Sequence, residues 1–421
     1  MSLKNMTTKK QTTRPCLGAL LLCLVAGCSP SVSTEGEPKS FIEVKDEAIG
    51  AAIDDDARHA FNDAVKSTGY ATIDAEALRP KLVPGGQIEF AFGDSDHLVL
   101  MIDVVEELRP EVITFSGHVV DDEFADFTFS LEGAHLVGSI RQGIHAWTVD
   151  PSQRAGLHMV RKIDRTRVPQ EEPRMELPNA PVGTNAQQLP PSAVTAGNVR
   201  MLFLYANNVP NASSQVSNIV SAFNNALSVS AVSSNNFVTI AGIQQVSSSF
   251  NGMNRKAILD AMSARAAPFA SIDSWMANTY ADVAFLLVQE DATASDVAGY
   301  GRVGGAAVQW PNNQGSPFAL STDDYALGDL TALHEIGHIF GGKHENDSSA
   351  GINRPVVAVN DTWMTIMGGY VDCPFNGLAA TCVRLNRWSN PDQTYMGYPL
   401  GVPGARDMES WLESSMPTVS S

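Results

Sequence analysis

His334-Glu335-Ile336-Gly337-His338-Ile339-Phe340-Gly341-Gly342-Lys343-His344 reads H-E-x-x-H-x-x-G-x-x-H, and the rest of the chain is read outward from it. On an α-helix His334 and His338 lie one turn apart on the same face. Two imidazoles presented that way grip one metal ion. Gly341 tolerates the positive φ that ends a helix and turns the chain back. The turn brings His344 up as a third nitrogen ligand. Glu335 is next round the helix and points beside the metal rather than at it. Three neutral imidazoles with one position left open suit catalytic zinc rather than structural zinc. Leu327, Leu330, Leu333, Ile336 and Ile339 form an apolar stripe that buries the helix. Burying three histidines is costly unless a metal or other partners satisfy them.

The eleven-residue signature resembles the metzincin clan of zinc endopeptidases. That clan places a tight turn with Met beneath the zinc, and Thr365-Ile366-Met367-Gly368 stands after the third His here. Met367 matches the Met-turn better than Met364, because a glycine follows it. The stretch 365–401 resembles the bacterial reprolysin-like and peptidyl-Asp metalloendopeptidase group. It carries Thr365-Ile366-Met367-Gly368, Cys373, Cys382, Arg387-Trp388-Ser389-Asn390-Pro391, Tyr395-Met396-Gly397 and Pro399-Leu400-Gly401. Glu345 follows the third His, where adamalysin-type members carry Asp and astacin-type members Glu. Some relatives add a Tyr two residues after the Met as a switchable ligand; Tyr370 is three residues after, an offset that argues against that role.

The resemblance implies an α/β (α+β) metzincin-like zinc protease domain with a mixed twisted sheet and an active-site helix, preceded by a β-rich pro-region. It implies a zinc-dependent endopeptidase that hydrolyses extended protein or peptide substrates through a zinc-bound water activated by Glu335. The substrate lies along an exposed strand edge at Gly304, Ala306 and Val308. Residues after Met367 wall the pocket, and Arg384, Arg387 and Lys343 are the cations that would favour acidic side chains there. Asp323 and Asp324, near Asn312 and Asn313, are candidates for a structural calcium, weighed against a solvated loop. The alternative from another class is a catalytically weak surface metal-binding or adhesion lipoprotein that keeps the protease fold. Glu335, which inactive relatives often lose, is intact.

Composition bounds the remainder. With 28 basic against 46 acidic residues in 421, the net charge is −18. Such a field repels nucleic acid. Lys4 to Arg14 is a charged leader, and 17–27 is an apolar run too short to span a bilayer. It ends Val25-Ala26-Gly27-Cys28, which resembles a bacterial lipobox. That resemblance implies an exported bacterial protein, cut before Cys28 and held by lipid on Cys28 at the outer membrane or cell surface. Beyond Cys28 only Cys373 and Cys382 remain, read as a disulfide closing a short loop, with zinc ligation as the alternative.

Composition also divides the chain. Residues 28–195 hold 14 basic and 28 acidic residues, and the longer 196–421 only 10 and 18. Pro169, Pro173, Pro178, Pro181, Pro190 and Pro191 mark an extended join, and Arg161-Lys162 and Arg165-Thr166-Arg167 offer basic cleavage sites beside it. The partition is a signal peptide at 1–27, a polar tether at 28–50, a β-rich propeptide-like domain at 51–167, a linker at 168–197 and a catalytic domain at 198–421. A helix is expected near 51–67. Strands follow at 87–92, 97–105, 112–120, 125–131, 135–141 and 144–149, with hairpin turns at Gly133 and Gly143. The second domain is expected as strand 199–205, helix 212–229, strand 237–244, helices 254–264 and 271–279, strand 283–289, the zinc helix and a terminal helix at 408–415. No Cys lies between 29 and 372, so a pro-region cysteine cannot silence the metal. The enzyme is read as a monomeric zymogen.

Overall fold

Alternating apolar and polar residues in the first half become strands whose apolar face closes on itself. The computed structural model describes residues 42–45, 64–93, 96–152, 156–168, 197–289, 299–301, 317–345, 352, 354–356, 362–369 and 382–420. Nine strands form a barrel: β1 Ile42–Lys45, β2 Val65–Ala71, β3 Gln87–Phe92, β4 Asp96–Arg109, β5 Val112–Val119, β6 Asp122–Glu132, β7 His135–Gln142, β8 His145–Pro151 and β9 His158–Asp164. Their order is β1-β2-β9-β8-β7-β6-β5-β4-β3, and β1 shuts the ring by pairing antiparallel with β2 and parallel with β3. Phe90, Phe115, Phe127, Phe129, Trp147 and Val160 fill the interior. Phe115 and Phe127 meet edge-on at 6.2 Å. Gly133 and Gly143 take φ of +60° and +56° at the hairpin turns, the positive values expected of them.

The expected helix at 51–67 is overturned at its end, because 65–67 begin β2; residues 51–63 lie outside the described set. Strands β1, β2 and β9 were not anticipated. The sequence of β9, His-Met-Val-Arg-Lys-Ile-Asp, carries charges whose partners lie far away in the chain.

The second half is built around a five-stranded sheet. Its elements are β10 Asn198–Ala206, α2 Ala212–Val229, β11 Phe237–Val246, α3 Arg255–Ser263, α4 Ile272–Thr279, β12 Val283–Val288, β13 Gly299–Gly301, β14 Phe318–Thr322 and α5 Thr331–Ile339; a one-turn helix, α1 Ala75–Leu78, belongs to the barrel. The order is β11-β10-β12-β14-β13, parallel except for β13 at the edge. Six consecutive apolar residues in β12 are all buried, as in a strand covered on both faces. Each Leu, Val or Phe buried this way contributes about 1.5–3 kcal/mol. Helix α3 starts where Asn254 accepts from the Ala257 amide. Beyond α5 come β15 Trp363–Met364, β16 Val383–Arg384, β17 Asn390–Tyr395, β18 Tyr398–Leu400 and α6 Met408–Val419. Helix α6 runs past the expected end at 415 and through Pro417.

Helix α2 is buried on two sides. Val216, Ile219, Val220, Phe223 and Leu227 enter the core of the α/β domain, as their spacing predicts. The opposite face, with Ser214, Ser217, Asn218 and Ser221, is buried as well. It packs on the outside of the barrel. Ser130 Oγ donates to Asn218 Oδ1 at 2.7 Å, Asn218 Nδ2 to the Val137 carbonyl at 2.8 Å, and Ser214 Oγ to Glu132 Oε2 at 2.9 Å.

Candidate metal centre

Helix α5 is buried along its whole length. Leu330 precedes it in the left-handed region at φ +61°, and Leu333, Ile336, Ile339 and Phe340 anchor it in the core. After Phe340 the chain reverses at Gly341, φ +93°, as the sequence required. The Gly341 amide donates to the His338 carbonyl at 2.9 Å and the Gly342 amide to the Gly337 carbonyl at 2.8 Å. This tight end delivers His344 to the face that carries His334 and His338.

The three Nε2 atoms form a nearly equilateral triangle. His334 to His338 is 3.0 Å, His334 to His344 is 3.0 Å and His338 to His344 is 3.1 Å. On their far sides, His334 Nδ1 donates to the Ile366 carbonyl and His338 Nδ1 to the Gly342 carbonyl, both at 2.8 Å. A carbonyl cannot donate, so these bonds fix the proton on Nδ1 and leave the Nε2 lone pairs of both rings facing inward. Lone pairs converging at 3 Å repel unless a cation lies among them. The triangle is close to the spacing three nitrogens take around one ion at about 2.0–2.1 Å, the usual zinc–imidazole length. Among the described residues this is the one group of His, Cys, Asp or Glu so arranged.

Electrostatics agree with that use. Burial, then the nearby Arg384 guanidinium, pushes His334 well below the ordinary histidine range. The same two causes bring His344 down to about 4. Both imidazoles are therefore neutral ligands at physiological pH. Glu335, adjacent on α5, is 1% exposed.

The floor of the site is the turn at Met367. A Cβ on Gly337 would lie 2.4 Å from Met367 Sδ and 3.0 Å from the Trp388 ring, so only glycine lets the turn approach the helix. Gly368 has no positive φ, contrary to the reason expected for it. Its constraint is space, since a Cβ there would lie 2.7 Å from the Met364 side chain.

Arg384 is fully buried, not at the surface. Its Nη1 donates to the Asp329 carbonyl at 3.1 Å and carboxylate at 3.3 Å, and its Nη2 to the Gly368 carbonyl at 2.8 Å. It thus ties the Met turn to the loop that leads into α5. Arg387 lies over the Phe124 ring at 5.2 Å and donates to the Asn386 carbonyl. Lys343 is half-buried beside the third imidazole. Glu345 forms a two-pronged ion pair with Arg406. Asp324 receives Arg161 at 2.7 Å. Cys382 is buried and disulfide-bonded. Cys373, Tyr370, Cys28 and the edge positions Gly304, Ala306 and Val308 lie outside the described residues. The edge strand that is described, β13, precedes those positions. Sequence reasoning missed Asp329 and the structural part of Arg384; only the pairing of distant charges would have signalled them.

A parallel sheet with one antiparallel edge strand, backed by a buried helix that carries a carboxylate and two of three convergent imidazoles, suits a metallopeptidase. Residues 194–379 match the model of the reprolysin-like metallopeptidases of family M12B, and this part of the chain is similar to a metallopeptidase domain of that family. The peptidyl-Asp metalloendopeptidase of Stenotrophomonas maltophilia strain R551-3 is 27% identical over 309 residues, covering 68% of each chain. That of strain K279a is 27% identical over 333 residues, 74% of this chain and 73% of the relative. Metalloproteinase-II from Bacteroides fragilis superposes with a TM-score of 0.41 at 14% identity, over 65% of this chain and 85% of that one.

Proposed function

We propose that the chain is a zinc endopeptidase that cuts extended polypeptides and is made as a latent precursor. The observation that carries this reading is the triangle of Nε2 atoms, 3.0–3.1 Å on a side, with Glu335 on the same helix. His334, His338 and His344 would hold the ion, and three nitrogen donors with no thiolate suit zinc at a site left open for chemistry. When bound, zinc supplies Lewis acidity toward a scissile carbonyl and toward water. Glu335 takes the proton from the attacking water and returns it to the leaving amine. Its burial keeps bulk water from competing for that proton. Met367 and Trp388 hold α5 from below, and Ile366 and Gly342 orient two of the rings.

The relatives' name supports a preference for bonds at aspartyl residues, with Arg387 and Lys343 as the candidate cations; Arg384, spent on Asp329 and Gly368, drops out of that role. Export, lipid on Cys28, a Cys373–Cys382 bridge and a monomeric state complete the reading. Latency lasts until the linker is cut. Arg161 and Arg165 are 3% and 2% exposed, so of the basic sites Arg167, with its side chain 63% exposed, is the one a protease reaches in the folded barrel.

The test is cleavage of a peptide library by the processed protein, with Glu335→Gln as control. We expect a loss of about 10²–10⁴-fold in kcat, the usual worth of a general base, with zinc still bound at one equivalent. Unchanged cleavage by the variant would overturn the assignment.

A further inference from the structure

We propose that the barrel is a lasting partner of the catalytic domain: once the linker is cut, residues 42–168 and 197–421 stay together as a two-chain particle. The proposal rests on reading the first half as a pro-region. It is carried by the contacts the barrel makes.

Three arginines on the outside of the barrel reach the loop that feeds α5. Arg141 clasps Asp126 of its own barrel through two bonds of 2.8 and 2.7 Å, and its Nη1 donates to the Leu327 carbonyl at 2.8 Å. Arg161 bridges Asp150 of the barrel at 2.9 Å and Asp324 of the loop at 2.7 Å. Arg165 donates to the Asp329 carboxylate at 3.3 Å and to the Arg384 carbonyl at 2.5 Å. All three are 2–3% exposed. Residues 324–329 are therefore held at three successive points by the barrel, immediately before the metal helix.

The rest of the contact is continuous with this clamp. On one side Ala64, Ala146, Ile163 and Val168 enclose Tyr325. On the other, Phe124 of the barrel meets Tyr395 at 4.4 Å and packs against Trp363, Leu385 and Leu400. Asn386 donates to Asp126 at 2.5 Å. The polar face of α2 adds bonds to Ser130, Val137 and Glu132. Separation would strip Arg161 from Asp324 and Arg165 from Asp329 at once, and rehydrate charges now shielded from water. Loss of such desolvated pairs acts chiefly on the rate of dissociation, and buried pairs are little screened by salt. An inhibitory cover that is shed needs a contact that water can enter piecemeal. Here the charged pairs are themselves buried and are accompanied by apolar contacts.

The clamp also reaches the metal centre. Arg165 holds Asp329 and Arg384, and Arg384 holds the Gly368 carbonyl of the turn whose Ile366 orients His334. A catalytic domain without the barrel loses the outer member of that relay.

The experiment starts from the full chain with zinc, carrying a site for a specific protease in the linker at 169–196. After cutting, gel filtration at neutral pH, in moderate and then high salt, should give one peak containing both fragments. Two separate folded peaks would overturn the proposal. A second chain, with Arg161→Met and Arg165→Met, is cut in the same way and should come apart at least tenfold faster. Equal retention would show that the arginines are not the clamp. If that chain does not fold, Asp324→Asn removes one charge with little change of shape and should speed dissociation in the same direction. Cleavage of a reporter peptide is measured alongside. Activity abolished by Glu335→Gln supports the peptidase whichever way the fragments migrate, so the two readings fail separately.

Discussion

Two buried polar clusters flank α5, and they meet the cost of burial in opposite ways. At the C-terminal end, His334, His338 and His344 point neutral lone pairs at one another, and the arrangement is complete only when a cation joins it. At the N-terminal end, Arg141, Arg161, Arg165 and Arg384 bring charge of their own and are matched by Asp126, Asp324 and Asp329. The first cluster would take its charge from a bound ion. The second is closed and does no chemistry. One helix is thus held rigid at its start and kept reactive at its end.

Breaking the closed cluster should cost the most in stability. Arg161 is held protonated: burial opposes its charge, and Asp324 and Asp150 together outweigh that opposition. Arg161→Met leaves the buried Asp324 and the half-buried Asp150 without it. The expected loss is about 3–5 kcal/mol, read by denaturant unfolding of the full chain. Adding Asp324→Asn should restore part of it, since one uncompensated charge is then gone. If the double variant loses the sum of the two single effects, the pair is not coupled and the contrast between the clusters fails.

The floor beneath the open cluster is a milder target. Gly337→Ala would put a methyl 2.4 Å from Met367 Sδ. Alanine in place of glycine stabilises an unobstructed helix by about 0.5–1 kcal/mol. Here overpacking should reverse the sign and cost about 1–3 kcal/mol. Because Met367 must shift, and its neighbour Ile366 orients His334, zinc affinity should fall together with Tm. An unchanged affinity would mean that the turn supports the helix but does not tune the metal.

The two clusters also differ in how visible they are in the sequence. The ligands lie within eleven residues, so helical geometry and one glycine suffice to bring them together, and the neighbouring carboxylate comes with them. The arginine cluster draws on residues from 126 to 384, and nothing local pairs Arg165 with Asp329. The same holds for the barrel. Its apolar residues alternate, and that pattern placed most of the strands from 87 to 149. Alternation also assigns Thr114, Thr128, Ser130 and Ser139 to water. They are buried instead: Ser130 bonds Asn218 of α2, Thr114 bonds Ser130, and Ser139 accepts from Arg141. Period-two patterning marks which face is apolar but not what covers the other. Strand β9 escaped for the same reason, since Arg161 on its outer face reads as a surface residue until Asp324 is placed against it.

A third effect separates the halves by pH. His158, at the start of β9, is 2% exposed and its Nε2 accepts the Leu136 amide at 2.9 Å. Burial, with a lesser contribution from His135, brings its pKa down to about 4. The unfolded chain has an ordinary histidine near 6.5. Between those values the unfolded state takes up a proton that the folded state refuses, so stability falls as pH drops from about 6.5 toward 4, by about 1.4 kcal/mol per unit at most. At pH 5 this amounts to about 2 kcal/mol relative to pH 7.5. His158→Gln keeps an oxygen to accept the Leu136 amide and cannot titrate. Compared at both pH values with zinc bound, the variant should lose about 2 kcal/mol less on acidification than the parent. Equal losses would mean that acid acts on the chain elsewhere, through the metal ligands or the arginine-bound carboxylates. The barrel would then add no acid sensitivity of its own to the particle it forms with the catalytic domain.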